Sequence, residues 1–159
     1  MWTIIDSPVG ELRLVAHDGA ITAIDFMPAL YAEGRPRGER SDSDPLLTEC
    51  ARQLGEYFAG DRTTFDLPLA PSGTAFQERV WEQLLKIEYG TTCSYGQIAG
   101  RLELTGHGAR AVGLANGKNP IPIVIPCHRV VGANGSLTGY AGGLDRKTTL
   151  LGLESGALF

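Results

Sequence analysis

The chain has 159 residues, 43% of them apolar, and a formal net charge of −4. That size suits one domain or two small ones with a real core; no run of about eighteen uncharged apolar residues offers a membrane span, and residues 1–6 lack the basic start and apolar centre of a signal peptide, so the cytosol is expected. Three cysteines, Cys50, Cys93 and Cys127, are odd in number and widely spaced, which argues against a disulfide framework or a cysteine-rich zinc site and leaves free thiols and no metal as the expectation.

Net acidity argues against a polyanionic partner, but the charge is unevenly spread. Residues 1–93 hold 8 basic and 15 acidic side chains, whereas residues 94–147 hold 6 and 2. A polyanion would face the C-terminal half, although short segments also differ in charge by chance.

In chain order, residues 2–7, 11–17 and 20–26 are short runs rich in β-branched residues, separated by Pro8-Val9-Gly10 and Asp18-Gly19, and read as three antiparallel strands. Residues 33–44 are almost devoid of apolar side chains and read as a mobile surface loop without chemistry. Leu46, Leu47, Cys50, Leu54, Tyr57 and Phe58 recur at helical spacing, predicting an amphipathic helix over 45–59 with Cys50 in the core. The Pro- and Gly-rich residues 67–73 read as a linker between a first domain, 1–66, and a second, 74–159.

The second domain opens with a capping box, Thr74-Ala75-Phe76-Gln77, before a core helix carrying Phe76, Val80, Trp81, Leu84 and Leu85. Another box, Ser94-Tyr95-Gly96-Gln97, starts a short helix; Thr105-Gly106-His107-Gly108 breaks it, and helical composition resumes over 109–116. Helix, glycine turn, helix is the outline of a helix-turn-helix. The second of these helices consists mainly of Ala and Gly, despite a cost of about 1 kcal/mol for an internal Gly. Two readings fit it: tight packing against another helix, or close approach to a nucleic-acid groove with Arg110 as its long projecting side chain.

Pro120, Pro122 and Pro126 exclude a helix and a central strand over the following segment, predicting a stiff extended approach to Cys127-His128-Arg129. An imidazole and a guanidinium beside a thiol suit a nucleophile. Strand neighbours point to opposite faces, however, so the bare dipeptide by itself favours a structural cysteine, and only the proline scaffold and the glycine loop argue for a nucleophile. Residues 132–143 contain five glycines around Tyr140, a loop able to approach a flat ligand, and 145–153 close as a short helix.

Four motifs in order, Arg110-Ala111-Val112-Gly113, Asn119-Pro120, Ile125-Pro126-Cys127-His128-Arg129-Val130-Val131 and Gly139-Tyr140-Ala141-Gly142-Gly143-Leu144, resemble the O6-alkylguanine-DNA alkyltransferase family, also called methylated-DNA--protein-cysteine methyltransferases. The resemblance covers about residues 74–155. It implies an α+β chain with a ribonuclease H-like N-terminal domain and a winged helix-turn-helix C-terminal domain. It also implies irreversible, single-turnover transfer of an alkyl group from O6-alkylguanine in duplex DNA, with O4-alkylthymine a further candidate, to Cys127. By the same resemblance His128 draws the thiol proton through a water, Glu154 orients His128, Tyr95 donates a proton to the guanine and rotates the nucleotide outward, and Asn119 is a hinge. Arg110 fills the gap left by the flipped base, with Ala109, Ala111, Gly113, Lys118 and Arg129 also at the DNA. Tyr140 walls the base, and backbone groups of Cys127, Val130 and Ala141 read its edge.

No cofactor, metal or obligate protein partner is expected, and a monomer able to cluster on DNA is. Extrusion of the target base is what chemistry on an atom inside a duplex requires, and small residues suit the minor groove. The rival readings are an alkylated-DNA-binding module without transfer, in which Cys127 is structural, and a Cys-His hydrolase.

Overall fold

The structure, a computed structural model, describes residues 1–28, 38–140 and 142–156. The chain divides into two compact units, Met1–Pro71 and Ser72–Phe159. Among the described residues no helix is long and apolar enough to cross a membrane.

In the first unit, β1 (Trp2–Ile5), β2 (Leu12–His17) and β3 (Ala20–Phe26) form an antiparallel meander in the order β1-β2-β3. The tight β2–β3 connection is made by Asp18 and Gly19, both at positive φ, the conformation that the Asp-Gly pair accommodates. Helix α1 (Pro45–Phe58) is capped by Asp44, whose side chain accepts from the Leu47 N–H, and buries Leu47, Cys50, Leu54 and Tyr57. Burial pushes the Cys50 thiol up to about 12, so this cysteine is inert packing, as its place on the apolar stripe predicts.

One expectation for this unit needs correction. Of the loop expected at 33–44, residues 33–37 lie outside the described residues, but 38–44 are tied down rather than mobile. Trp2 N–H donates to Glu39 O, Ser41 N–H to Trp2 O and Thr3 Oγ1 to Asp42 Oδ1, while the Arg40 guanidinium lies over the Trp2 ring. Polar composition does not forbid order where a strand edge offers unsatisfied backbone groups. The break between the units falls after Pro71, within the stretch 67–73; before it, Ile21 N–H donates to Pro68 O and Ala70 N–H to Ile21 O, an isolated bridge of Leu69 to β3.

The second unit holds α2 (Ala75–Leu84), β4 (Cys93–Ser94), α3 (Tyr95–Arg101), α4 (Gly108–Gly117), β5 (Val130–Val131) and α5 (Leu144–Ser155). Both capping boxes form, Thr74 with Gln77 and Ser94 with Gln97, so the starts of α2 and α3 are fixed by local sequence. Helices α3 and α4 pack on each other, and α2 braces α4 through the Trp81 indole, which donates to Ala115 O at 2.9 Å. A Cβ on Gly108 would come within 2.7 Å of the Leu104 Cβ, whereas one on Gly117 would meet nothing within 4 Å. Small residues in α4 therefore serve both readings offered for them: Gly108 allows close helix packing, and Gly117 leaves a bare outer face.

The proline-rich approach to Cys127 is not extended. Ile125 N–H donates to Ile121 O, Ile123 takes a φ of 75°, and Cys127–Arg129 forms a 3₁₀ turn rather than a strand. Prolines at 120, 122 and 126 still exclude a regular helix, yet they permit a chain of turns.

Candidate active site

The 3₁₀ turn Cys127–Arg129 is buried; its sulfur faces Asn119 and Tyr140, whereas its imidazole and guanidinium converge on Glu154. Successive residues of a 3₁₀ helix diverge by about 120°, so the objection that neighbours on a strand face apart does not apply. Cys127 is 4% exposed, and the polar side chains of Asn119 and Tyr140 stand near enough to its sulfur to favour the thiolate. Asn119, just beyond α4, also donates through Nδ2 to Ile125 O and accepts through Oδ1 from the Ile121 N–H. It thus joins the end of α4 to the turns that carry the cysteine. Asn116 of α4 donates to Cys127 O at 3.3 Å.

His128 is fully buried, with Nε2 2.7 Å from Glu154 Oε2 of α5. A carboxylate only accepts, so Nε2 carries the proton and Nδ1 presents a lone pair. Nδ1 is buried with no hydrogen-bond partner among the described residues. Arg129 donates from Nε to Glu154 Oε1 at 2.8 Å, from Nη2 to Oε2 at 2.9 Å and from Nη1 to Ile87 O at 2.7 Å, and its guanidinium lies over the Tyr89 ring.

Burial raises the Cys127 thiol above its ordinary pKa, a shift that the polar side chains of Asn119 and Tyr140 and the positive charge of Lys147 oppose. Burial also lowers His128, against the pull of Glu154. At neutral pH the resting site therefore holds a protonated thiol and a neutral imidazole, both shielded from water. A protonated thiol is a poor nucleophile and needs a base; the bare Nδ1 of a neutral imidazole is the group that can serve.

Helix α4 carries Ala109, Arg110 and Lys118 exposed at its surface and Ala111 and Gly113 half-exposed. Leu114, 69% exposed, lies one turn beyond Arg110, so Arg110 is not the only long side chain there. Tyr95 opens α3 beside Gly113, and its hydroxyl accepts a hydrogen bond from Thr138 Oγ1 at 3.1 Å. Tyr140 stands near the cysteine with its hydroxyl buried. Ala141 lies outside the described residues.

Arg129 does not stand with the exposed residues of α4. Expected at the DNA, it is buried with its guanidinium turned inward, because Glu154 is an anion inside the protein and must be compensated there. Val130 is also engaged internally: its N–H bonds Cys127 O and its carbonyl accepts from Lys147. That carbonyl keeps one lone pair for any further partner.

Lys147 escaped the sequence reading. It is 0% exposed and its Nζ donates to Val130 O at 2.7 Å and Thr138 O at 3.2 Å, while burial lowers its pKa and its charge acts on Cys127. The signal was present: Lys147, Leu150, Leu153 and Glu154 share the buried stripe of α5 at helical spacing, and a lysine on such a stripe has a buried partner. Asn116, placed with Ala115 on the packed face of α4, carried no such signal. Among the described residues no cluster of three or more His, Cys, Asp or Glu could hold a metal.

The model of the 6-O-methylguanine DNA methyltransferase ribonuclease-like domain matches residues 1–71, and that of the DNA binding domain matches residues 75–156. A methylated-DNA--protein-cysteine methyltransferase of Mycolicibacterium paratuberculosis is 50% identical over 150 residues, covering 94% of this chain and 89% of the relative. One from Methanosarcina acetivorans is 46% identical over 157 residues, covering 96% and 97%. The crystal structure of Mycobacterium tuberculosis O6-methylguanine methyltransferase superposes with a TM-score of 0.89 at 46% identity, covering 99% of this chain and 94% of that one. The Mycobacterium tuberculosis protein in complex with DNA superposes with a TM-score of 0.86 at 47% identity, covering 98% and 93%. With model matches over residues 1–71 and 75–156 and relatives about half identical over nearly the whole chain, the chain belongs to the methylated-DNA--protein-cysteine methyltransferase family.

Proposed function

We propose that this protein repairs DNA by moving the alkyl group of O6-alkylguanine in a duplex onto Cys127, once per molecule. The observation that carries the reading is the neutral relay itself: a buried thiol, and an imidazole whose Nε2 is held by Glu154 and whose Nδ1 is bare. His128 accepts the thiol proton through one water, and the sulfur attacks the alkyl carbon. The S–C bond forms as the C–O6 bond breaks, the electron pair leaves with the guanine, and Tyr95 supplies a proton to the ring. The product thioether has no leaving group that the site can displace, so one event consumes the protein.

Access to the carbon requires the nucleotide to leave the stack, at a cost of a few kcal/mol. Arg110 fills the gap from an α4 face otherwise lined by Ala109, Ala111, Gly113 and Gly117, which suits the minor groove, and Lys118 meets phosphate. Tyr140 walls the flipped base; Ala141 and the remaining lone pair of the Val130 carbonyl read its edge. The relative solved with DNA supports this assignment. The reading includes O4-alkylthymine as a weaker substrate and a cytoplasmic monomer without cofactor, able to cluster on DNA.

Incubation with a duplex containing O6-methylguanine, followed by peptide mass spectrometry, tests it. A single methyl on Cys127, capped at one per protein, is expected. Tight binding of the lesion with an unmodified Cys127 would establish the binding-only alternative instead.

A further inference from the structure

Glu154 is the most heavily contacted anion of the second unit, and it serves two cations or potential cations at once. Its Oε2 receives both His128 Nε2 at 2.7 Å and Arg129 Nη2 at 2.9 Å, and Oε1 receives Arg129 Nε at 2.8 Å. A lone buried carboxylate beside an imidazole would form an ion pair with it, because transferring a proton to Nδ1 creates the countercharge that the carboxylate lacks. An imidazolium has no lone pair and cannot act as a base. Arg129 already supplies that countercharge, through a two-pronged guanidinium contact.

We infer that Arg129 is a positioning residue of the transfer reaction: it neutralises Glu154 in the resting protein, so that His128 stays the neutral Nε2–H tautomer with Nδ1 open to the thiol proton. This rests on the proposed roles of Cys127 and His128. The guanidinium is itself held from outside the relay, by Ile87 O at 2.7 Å and by the Tyr89 ring. The charged and titratable groups around His128 are Glu154 and Lys147 of α5, Arg129 and Cys127 of its own turn, with Tyr89 beyond the guanidinium. Positive Arg129 and Lys147 both lower the affinity of His128 for a proton, and Glu154 alone raises it. Removing Arg129 takes away a positive charge that lowers the affinity of His128 for a proton, and moves His128 upward.

Single-turnover methyl transfer from an O6-methylguanine duplex to Cys127, followed from pH 5 to 9, reads this directly. The rate of the unaltered protein falls only in acid, below the ordinary histidine range, as His128 becomes protonated. In Arg129→Met the acid limb is expected to move up by about one pH unit, an added loss of about tenfold at the pH where the two limbs separate. Arg129→Lys, which keeps the charge and loses the fork, is expected to keep the limb near its original place at a reduced rate. Equal loss at every pH in Arg129→Met would mean a merely structural arginine and would overturn the inference.

Should Arg129→Met not fold, ring ¹⁵N spectra of His128 in the unaltered protein decide the matter. A bare Nδ1 and protonated Nε2 at pH 7 support the inference, and an imidazolium refutes it. Absence of any mass gain on Cys127 in the unaltered protein sinks the underlying reading and this inference together, whereas mass gain with an unmoved acid limb sinks the inference alone.

Discussion

Replacing Lys147 by Met should leave the fold as stable or more stable and slow the transfer. Lys147 is fully buried with no carboxylate partner among the described residues, and its pKa is lowered by burial. A base whose folded pKa lies below its unfolded value binds fewer protons when folded, so its charge costs stability at neutral pH and that cost is relieved only as the pH rises through the folded pKa. Burying an ion costs several kcal/mol; the two hydrogen bonds to Val130 O and Thr138 O return about 1.5–3 kcal/mol each. The two sums nearly cancel. Methionine has similar length and no charge, so its net effect on stability should lie within about 2 kcal/mol of zero, on the stabilising side if desolvation dominates.

The reaction has no such compensation, since Lys147 is the cation that favours the Cys127 thiolate and also ties down the carbonyl of Thr138 in the loop bearing Tyr140. Loss of one preorganised electrostatic group of this kind costs about 10²-fold. Thermal melts and single-turnover rates measured on the same preparation separate the two effects. An unchanged rate, or a melting point that falls by more than about 10 °C, would refute the placing of Lys147 as an electrostatic rather than a structural residue.

Arg110→Ala should weaken repair in duplex DNA far more than attack on free O6-benzylguanine; equal losses in the two rates would remove its role as a plug. Tyr95→Phe should slow transfer and leave DNA affinity nearly unchanged, which single-turnover rates and a binding titration resolve. Gly108→Ala should destabilise by about 1–3 kcal/mol in a denaturant titration, because its new methyl meets Leu104. Gly117→Ala, with open space around it, should instead stabilise by up to about 1 kcal/mol and yet weaken duplex binding; undiminished binding would place the DNA elsewhere.

Legibility in the sequence followed the range of the interactions. The capping boxes at Thr74 and Ser94, the Asp18-Gly19 turn and the apolar stripe of α1 are set by residues within four positions of one another, and each formed where its spacing predicted. Contacts across tens of residues were not legible. Whether Arg129 faces outward or inward depends on Glu154, 25 residues away, and on Ile87, 42 residues away. The order of residues 38–44 likewise depends on the open edge of β1. Cys127, His128, Asn119 and Glu154 were reached by family resemblance, and their geometry gives that resemblance a physical content: the thiol and the imidazole are both buried, and Glu154 holds the imidazole by Nε2. Prolines around Ile123 were misjudged for a local reason. They rule out helix and ladder bonds alike, and a succession of turns satisfies them as well as an extended chain does.

The 3₁₀ turn of Cys127, His128 and Arg129 works as a distributor. In one turn of three residues it sends the sulfur toward Asn119 and Tyr140 and brings the imidazole and guanidinium from two sides onto Glu154, the guanidinium reaching on to Ile87. Inserting or deleting one residue would rotate every bearing by a third of a circle and deliver each group to its neighbour's address. The tripeptide can therefore be altered by substitution, one position at a time, but it cannot slide.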